Sequence, residues 1–218
     1  MNNLTFLRGA ALATLLASGA AMAAATPVAI TNASFEADTT FTSEVGSTGW
    51  SSGILSGWNV TGDTGVWNPR NPAYYPGGIP DGINVAYSNG GQIEQTLSTG
   101  LSNNTSYVLS LDIGIRTDVA FQNYTVELLA GGNVIASASN PVTPASYSGT
   151  FQTATLSYNA GGAEAFAGQL LGIRISTGGV QVNYDNVGLT ANPVPEPETY
   201  GMMLAGLGLL AMVARRRS

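Results

Sequence analysis

Five aromatic side chains carry the clearest binding chemistry of this chain: Trp50, Trp67, Tyr74, Tyr75 and Tyr87. Flat ring faces bind sugar rings where amides and carboxylates stand close by. Tyr74 and Tyr75 lie in "NPRNPAYYPGGIPDG" (68–82), a Pro-rich stretch of the kind where ligand contacts collect. Each of the five has a plainer alternative, which is packing against its own loop. Trp58, in "SGWNV", precedes alternating strand residues and is expected in the core. Catalytic chemistry is scarcer. The chain has no His, Cys or Lys. Ser-His-Asp, Cys-His and Ser-Lys arrangements are thereby excluded, and so are zinc sites of the His/Cys type. A paired-carboxylate glycoside hydrolase stays open, with Asp112, Asp118 and Glu127 as its acids. Nothing in their spacing singles them out, so no enzyme is expected.

The charge balance narrows the partners. All seven cations are arginines, and four of them (Arg8, Arg215, Arg216, Arg217) lie near the ends. The body keeps Arg70, Arg116 and Arg174 against eleven carboxylates. A body this acidic repels phosphate backbones, which excludes nucleic acid as a partner. Without Cys the fold does not depend on disulfides.

Short strands must position these side chains. Gly, Asn, Asp and Ser clusters recur at 62–63, 88–91, 102–104, 131–133, 161–162 and 178–179, with runs of Val, Ile, Thr, Tyr and Leu between them. That spacing reads as an all-β sandwich or barrel. Over Tyr107–Arg116, Tyr107, Leu109, Leu111, Ile113 and Ile115 share one face, a period of two. Asn123–Leu129 repeats the pattern, and "AGGNVIASAS" (130–139) reads as a turn into its hairpin partner. Further strands are expected near 54–60, 83–87, 92–97, 149–158, 169–176 and 180–190, and 68–82 as an irregular loop. The last strand changes parity. Val180, Val182 and Tyr184 keep one face, Val187 and Leu189 the other. A β-bulge or face switch is therefore expected at Asp185-Asn186, re-aiming Asp185.

The two ends differ from the body. Met1–Ala25 joins one arginine, an Ala/Leu-rich stretch and Ala-Met-Ala at 21–23, the pattern of a cleaved secretory signal. The far end is "VPEPETYGMMLAGLGLLAMVARRRS" (194–218). Its uncharged run, Tyr200–Ala214, spans about 22 Å as a helix, against about 30 Å of hydrocarbon. Snorkelling arginines could extend it to a transmembrane helix, either a standing or a transient membrane anchor. Expected domains are thus a signal at 1–25, a sandwich at 26–191, a Pro-rich linker at 192–199 and a hydrophobic helix at 200–218.

Val194-Pro195-Glu196-Pro197, an apolar helix and Arg215-Arg216-Arg217, in that order, resemble the PEP-CTERM sorting signal. The resemblance implies an exported cell-envelope or extracellular protein of an exopolysaccharide-producing bacterium, recognised by an exosortase. The body is similar to galactose-binding-like jelly-roll sandwiches, including carbohydrate-binding modules. "TNASFEAD", "ILSGWNVTGDTGVW", "PDGINVAY", "GQIEQTLS", "SYVLSLDIG" and "VNYDNVGLT" carry that likeness. It implies a jelly-roll fold and a structural calcium shared by Glu36 and Asp185, although both can also be plain solvated or capping carboxylates. Calcium takes six to eight oxygens and tolerates irregular geometry, so a bulged strand beside the opening segment suits it. The expectation is therefore a non-catalytic, secreted, matrix or biofilm protein that binds exopolysaccharide or other glycans. The alternatives are a structural or adhesive surface protein without glycan binding, or a carboxylate-dependent glycoside hydrolase.

Overall fold

Among the described residues, eleven strands and one helix follow the apolar patterning of the chain. The computed structural model describes residues 24–45, 48–69, 72–194 and 197–216. The expected signal segment therefore lies almost wholly outside the described residues, as do Pro195, Glu196 and Arg217. The first strands are β1 (Thr26–Val28), β2 (Ser43–Val45), β3 (Thr48–Ser52), β4 (Asn59–Asn68) and β5 (Val85–Gly100). Then come β6 (Thr105–Ile115), β7 (Tyr124–Ala130), β8 (Asn133–Ser139), β9 (Thr150–Ala160), β10 (Leu170–Thr177) and β11 (Val182–Pro193). Helix α1 (Pro197–Arg216) closes the described chain.

All pairings are antiparallel, and the fold is the expected β-sandwich. One layer runs β2-β3-β4-β5-β10-β7-β8. The other runs from the start of β5 through β11 and β6 to β9, with β1 on the far end of β11. Strand β5 joins the layers: Ala86–Ser88 pair with β11, and Gly91–Gly100 pair with β10. The core lies between them. Leu109, Leu111, Ile113 and Ile115 of β6 are fully buried, facing Val126 and Leu128 of β7 and Ile173 and Ile175 of β10 in one cluster. Period-two patterning thus places the inner face where it was expected, and Trp58 sits in the same core.

Three segments depart from expectation. The stretch 54–57 is a turn, and the strand starts at Asn59. The segments 83–87 and 92–97 are one long strand, β5, rather than two. The glycine clusters at 62–63 and 88–91 are facing irregularities in the paired strands β4 and β5, not chain reversals. Register shifts between Gly62 and Thr64, with Gly62 opposite Gly91 and Thr64 opposite Ser88. Gly62 (φ +73°) and Gly90 (φ +96°) occupy the left-handed region, and a Cβ on Gly62 would meet the Gly90 carbonyl oxygen. Glycine is what lets these backbones approach. The expected irregularity in β11 is present: register shifts between Asp185 and Gly188, and Asn186 has φ +52°.

The tail also differs in its bounds. Strand β11 runs on to Pro193 and the helix starts at Pro197, so the linker is shorter than 192–199. Proline fits the first turn of a helix, where its missing N–H is not needed. Among the described residues no helix is long and apolar enough to cross a membrane, which corrects the expected transmembrane helix. The uncharged part is too short, and Glu198 and Arg215–Arg216 stand inside the helix. From Gly201 on, the described side chains of α1 are all exposed.

Candidate functional site

An aromatic cavity of about 390 Å³ forms over β3, β4 and β5, where the sandwich edge meets the Pro-rich loop. Register builds its wall: Trp50 of β3 pairs with Trp67 of β4, and Tyr87 of β5, opposite Gly65, lies two pairs further along. Tyr74 from the loop packs edge-on to Trp67 at 5.4 Å. Trp50, Trp67, Tyr74 and Tyr87 all line the cavity, together with Asp63, Asn89, Arg116 and Gln181.

The irregularity in β4 puts a carboxylate here. Asp63 falls in the register shift and has no strand partner. Its oxygens accept hydrogen bonds from Asn89 Nδ2 (2.9 Å), Ser52 Oγ (2.9 Å) and Tyr87 OH (3.4 Å). The Asn89 amide, helped by Ser52 and Tyr87, holds the Asp63 carboxyl below the usual range despite partial burial. It is therefore ionised at neutral pH. Arg116 follows the end of β6 and also lines the cavity. Its Nε and Nη2 donate to Asp118 at 2.8 and 2.6 Å, and its Nη1 donates to Gln181 Oε1. The guanidinium lies over Tyr74 (4.3 Å) and Trp67 (5.0 Å).

Tyr75 differs from the other aromatic candidates. It is buried beneath the wall, 6.0 Å from Trp67 and 4.6 Å from Phe151 between ring centroids. Its OH donates to Asn183 Oδ1 at 2.7 Å, and burial pushes its pKa up. Tyr75 thus braces the cavity instead of facing it. The three acids considered for hydrolysis are committed to separate partners. Asp118 pairs with Arg116 and Glu127 with Arg174 (2.6 Å). Asp112 is buried, accepting from Thr153 (2.6 Å) and Asn186 (3.2 Å). Sequence reasoning missed Asp63, Asn89, Arg116 and Gln181. The first two sit in clusters that read as turns, and the others reach the cavity only through long-range register.

Glu36 and Asp185, expected to share a metal, grip the same short segment. Glu36 Oε1 accepts from Ile83 N (3.0 Å) and Asn84 N (2.7 Å), and Asp185 Oδ2 accepts from Asp81 N (3.0 Å). Asp185 is fully buried. Burial raises its pKa to about 7, against the lowering effect of its bonds from Asp81 N and Asn186 N, and the charges of Asp81 and Asp112 add to the rise. Among the described residues no group of three or more acidic side chains is spaced to hold a metal. The remaining donors fit a hard cation nonetheless. Asn84 Oδ1 is buried without a hydrogen-bond partner, while Asn84 Nδ2 donates to the carbonyls of Phe35 and Asp38. A buried amide oxygen left without a donor, on a segment held by two carboxylates, is the kind of oxygen ligand calcium uses.

Comparison with known proteins adds two independent findings. The HpiC1 cyclase family model matches residues 26–190, and the PEP-CTERM protein-sorting motif matches residues 193–217. The motif bears out the expected sorting signal; it implies an exported, envelope-associated protein processed by an exosortase. Among solved structures, the Stig cyclase Fisc from Fischerella sp. TAU, in complex with (3Z)-3-(1-methyl-2-pyrrolidinylidene)-3H-indole, is 31% identical. The match has a TM-score of 0.68 and covers 79% of this chain and 100% of that one. A cyclase from Fischerella sp. TAU in complex with 4-(1H-indol-3-yl)butan-2-one is also 31% identical, with a TM-score of 0.66 and coverage of 78% and 100%. Carbohydrate-binding modules are present as distant neighbours. TmCBM61 in complex with beta-1,4-galactotriose is 15% identical, with a TM-score of 0.49 and coverage of 75% and 98%, and no ligand follows from it. No curated protein matches the chain. The cyclase matches point toward catalytic activity and away from the expected non-enzyme.

Proposed function

Because the chain belongs to the HpiC1 cyclase family through residues 26–190, we propose that its sandwich is an exported ligand-handling domain whose aromatic cavity binds sugar rings of an exopolysaccharide or another glycan. Two relatives are described in complex with ring-bearing indole compounds, so sandwiches of this family accept flat ring ligands. One observation turns the reading toward sugars: the rings of Trp50 and Tyr87 share the cavity with Asp63, Asn89, Arg116 and Gln181. A polyhydroxylated ring can add hydrogen bonds to several of these groups at once; an indole, with one N–H, can add one. Affinity electrophoresis of the purified chain in gels carrying the host's polysaccharides tests the reading. Retardation is expected, with Trp50→Ala weakening it about tenfold or more. No retardation on any host glycan overturns it.

Family membership favours a second reading, ring closure on an indole-bearing substrate. Proton-initiated ring closure uses a carboxyl that stays protonated. The cavity's own carboxylate, Asp63, is held ionised, and Asp185, with its raised pKa, is not among the cavity-lining residues. That contrast ranks binding first. Conversion of an indole-bearing substrate to a new isomer of equal mass would reverse the ranking.

Calcium forms part of the proposal as a structural ion. Glu36, Asn84 and Asp185 would hold it, tying the opening segment and β11 to residues 81–84 at the end of the Pro-rich loop. When bound it supplies positive charge to buried oxygens.

A further inference from the structure

The two charged groups that line the cavity differ in how they are paired. Arg116 is neutralised by its two-point pair with Asp118. Asp63 is not neutralised in this way: its partners Ser52, Tyr87 and Asn89 are all neutral, and among the described residues no cation pairs with it. Among the described residues, Asp63 is thus the cavity-lining carboxylate that has no cationic partner. Trp50 lies two residues before Ser52 on β3, so both side chains leave the same face of that strand. Ser52 holds Asp63 and Trp50 lines the cavity, which places a carboxylate and an indole on one wall. Aromatic faces with a carboxylate attract ammonium groups, and the stacking of Arg116 over Tyr74 and Trp67 shows these walls already accept a cation. The rest of the body, three arginines against eleven carboxylates, favours the same sign of ligand at longer range.

We infer that the cavity selects a sugar ring bearing a free, protonated amine, with Asp63 and Trp50 as its specificity residues, and discriminates against uronates. This rests on the glycan-binding reading. It defines the ligand more narrowly: a hexosamine unit of a polysaccharide that is at least partly not N-acetylated. The amine meets Asp63, and the ring face meets Trp50. An N-acetylated unit loses the charge and a uronate reverses it.

The test titrates the full chain, by calorimetry at about pH 6, with three probes: a glucosamine oligomer, its N-acetylated counterpart and a uronate oligomer. At that pH the ligand amine is protonated and carboxylates are ionised. The expected result is at least tenfold tighter binding of the glucosamine oligomer than of the N-acetylated one, with no uronate binding. The preference should shrink with added salt, and vanish in Asp63→Asn and when the pH is raised until the amine is neutral. Asp63 is exposed, and a thermal melt checks that Asp63→Asn remains folded. Equal affinities for the charged and acetylated oligomers, or a preference insensitive to both salt and pH, overturn the inference and leave glycan binding standing. Failure of all three probes and of every host glycan overturns both.

Discussion

Asp185 and Asp112 stand directly opposite each other across β11 and β6, both buried, and Asn186 bonds to both. Its N–H donates to Asp185 Oδ1 and its Nδ2 to Asp112 Oδ2. Asp81, whose N–H reaches Asp185 Oδ2, adds the charge of a third carboxylate. Burial raises the Asp185 carboxyl to about 7, the bonds from Asp81 N and Asn186 N work against it, and the charges of Asp81 and Asp112 add to the rise. The unfolded value is about 3.9. Folding therefore favours protonated Asp185. Its stabilising effect is complete below about pH 4 and is lost as the pH rises to about 7, at no more than about 1.4 kcal/mol per pH unit. Urea midpoints measured across that window in the presence of chelator should fall with pH, and Asp185→Asn should flatten the profile. A flat wild-type profile would contradict this account.

A bound cation reverses that dependence. Calcium should raise the melting temperature at neutral pH and do so less near pH 5, where protons compete for Asp185. Glu36→Gln should abolish the calcium-dependent increment. A melting temperature unmoved by chelator at neutral pH rejects the site.

Tyr75→Phe separates a brace from a ligand contact. It removes one buried hydrogen bond and leaves Asn183 Oδ1 short of a donor, at a cost of about 1–3 kcal/mol. Because Tyr75 lies beneath the wall, glycan affinity should change less than threefold while chemical denaturation shifts clearly. A large loss of affinity without loss of stability would place its hydroxyl in contact with ligand.

Gly62→Val should be costly on two counts. A β-branched residue is strained at positive φ, and its Cβ meets the Gly90 carbonyl. A loss of about 2 kcal/mol or more is expected in denaturant unfolding. Glycan binding should weaken as well, since the same irregularity presents Asp63. Unchanged binding would show that Asp63 reaches the cavity without it.

The tail makes a chemical prediction. Protein isolated from its native host should have a C-terminus near the Pro-Glu-Pro step, without Arg215–Arg217. Intact mass and terminal sequencing read this directly. A chain still ending in its arginines would mean that the sorting signal is retained.

Much of this fold is visible in the sequence because one face of most strands is buried. Alternation in Tyr107–Ile115 marks the inner face of β6, and the parity change after Tyr184 marks the irregularity in β11. Gly62-Asp63 and Asn89-Gly90 have the same composition as ordinary turns, and only pairing distinguishes two facing bulges from two chain reversals. The cavity is harder to read. Trp50, Trp67, Tyr74 and Tyr87 can be picked out by residue type. Arg116 and Gln181 join them through a bond spanning sixty-five positions, which no local pattern encodes. Tyr75, adjacent to Tyr74 in sequence, points under the wall while its neighbour lines it.

Strand β11 links the cavity to the sorting signal. It leaves the cavity at Gln181, passes Asn183 and Asp185, and ends at Pro193, just before Val194 is tied to the Asn104 carbonyl. At about 3.3 Å per residue its twelve residues reach roughly 35 Å. A protein attached through its processed tail would hold its binding mouth at that standoff from the surface. Tension on a captured polymer would then run lengthwise along one strand clamped by β6, loading many backbone hydrogen bonds at once in shear.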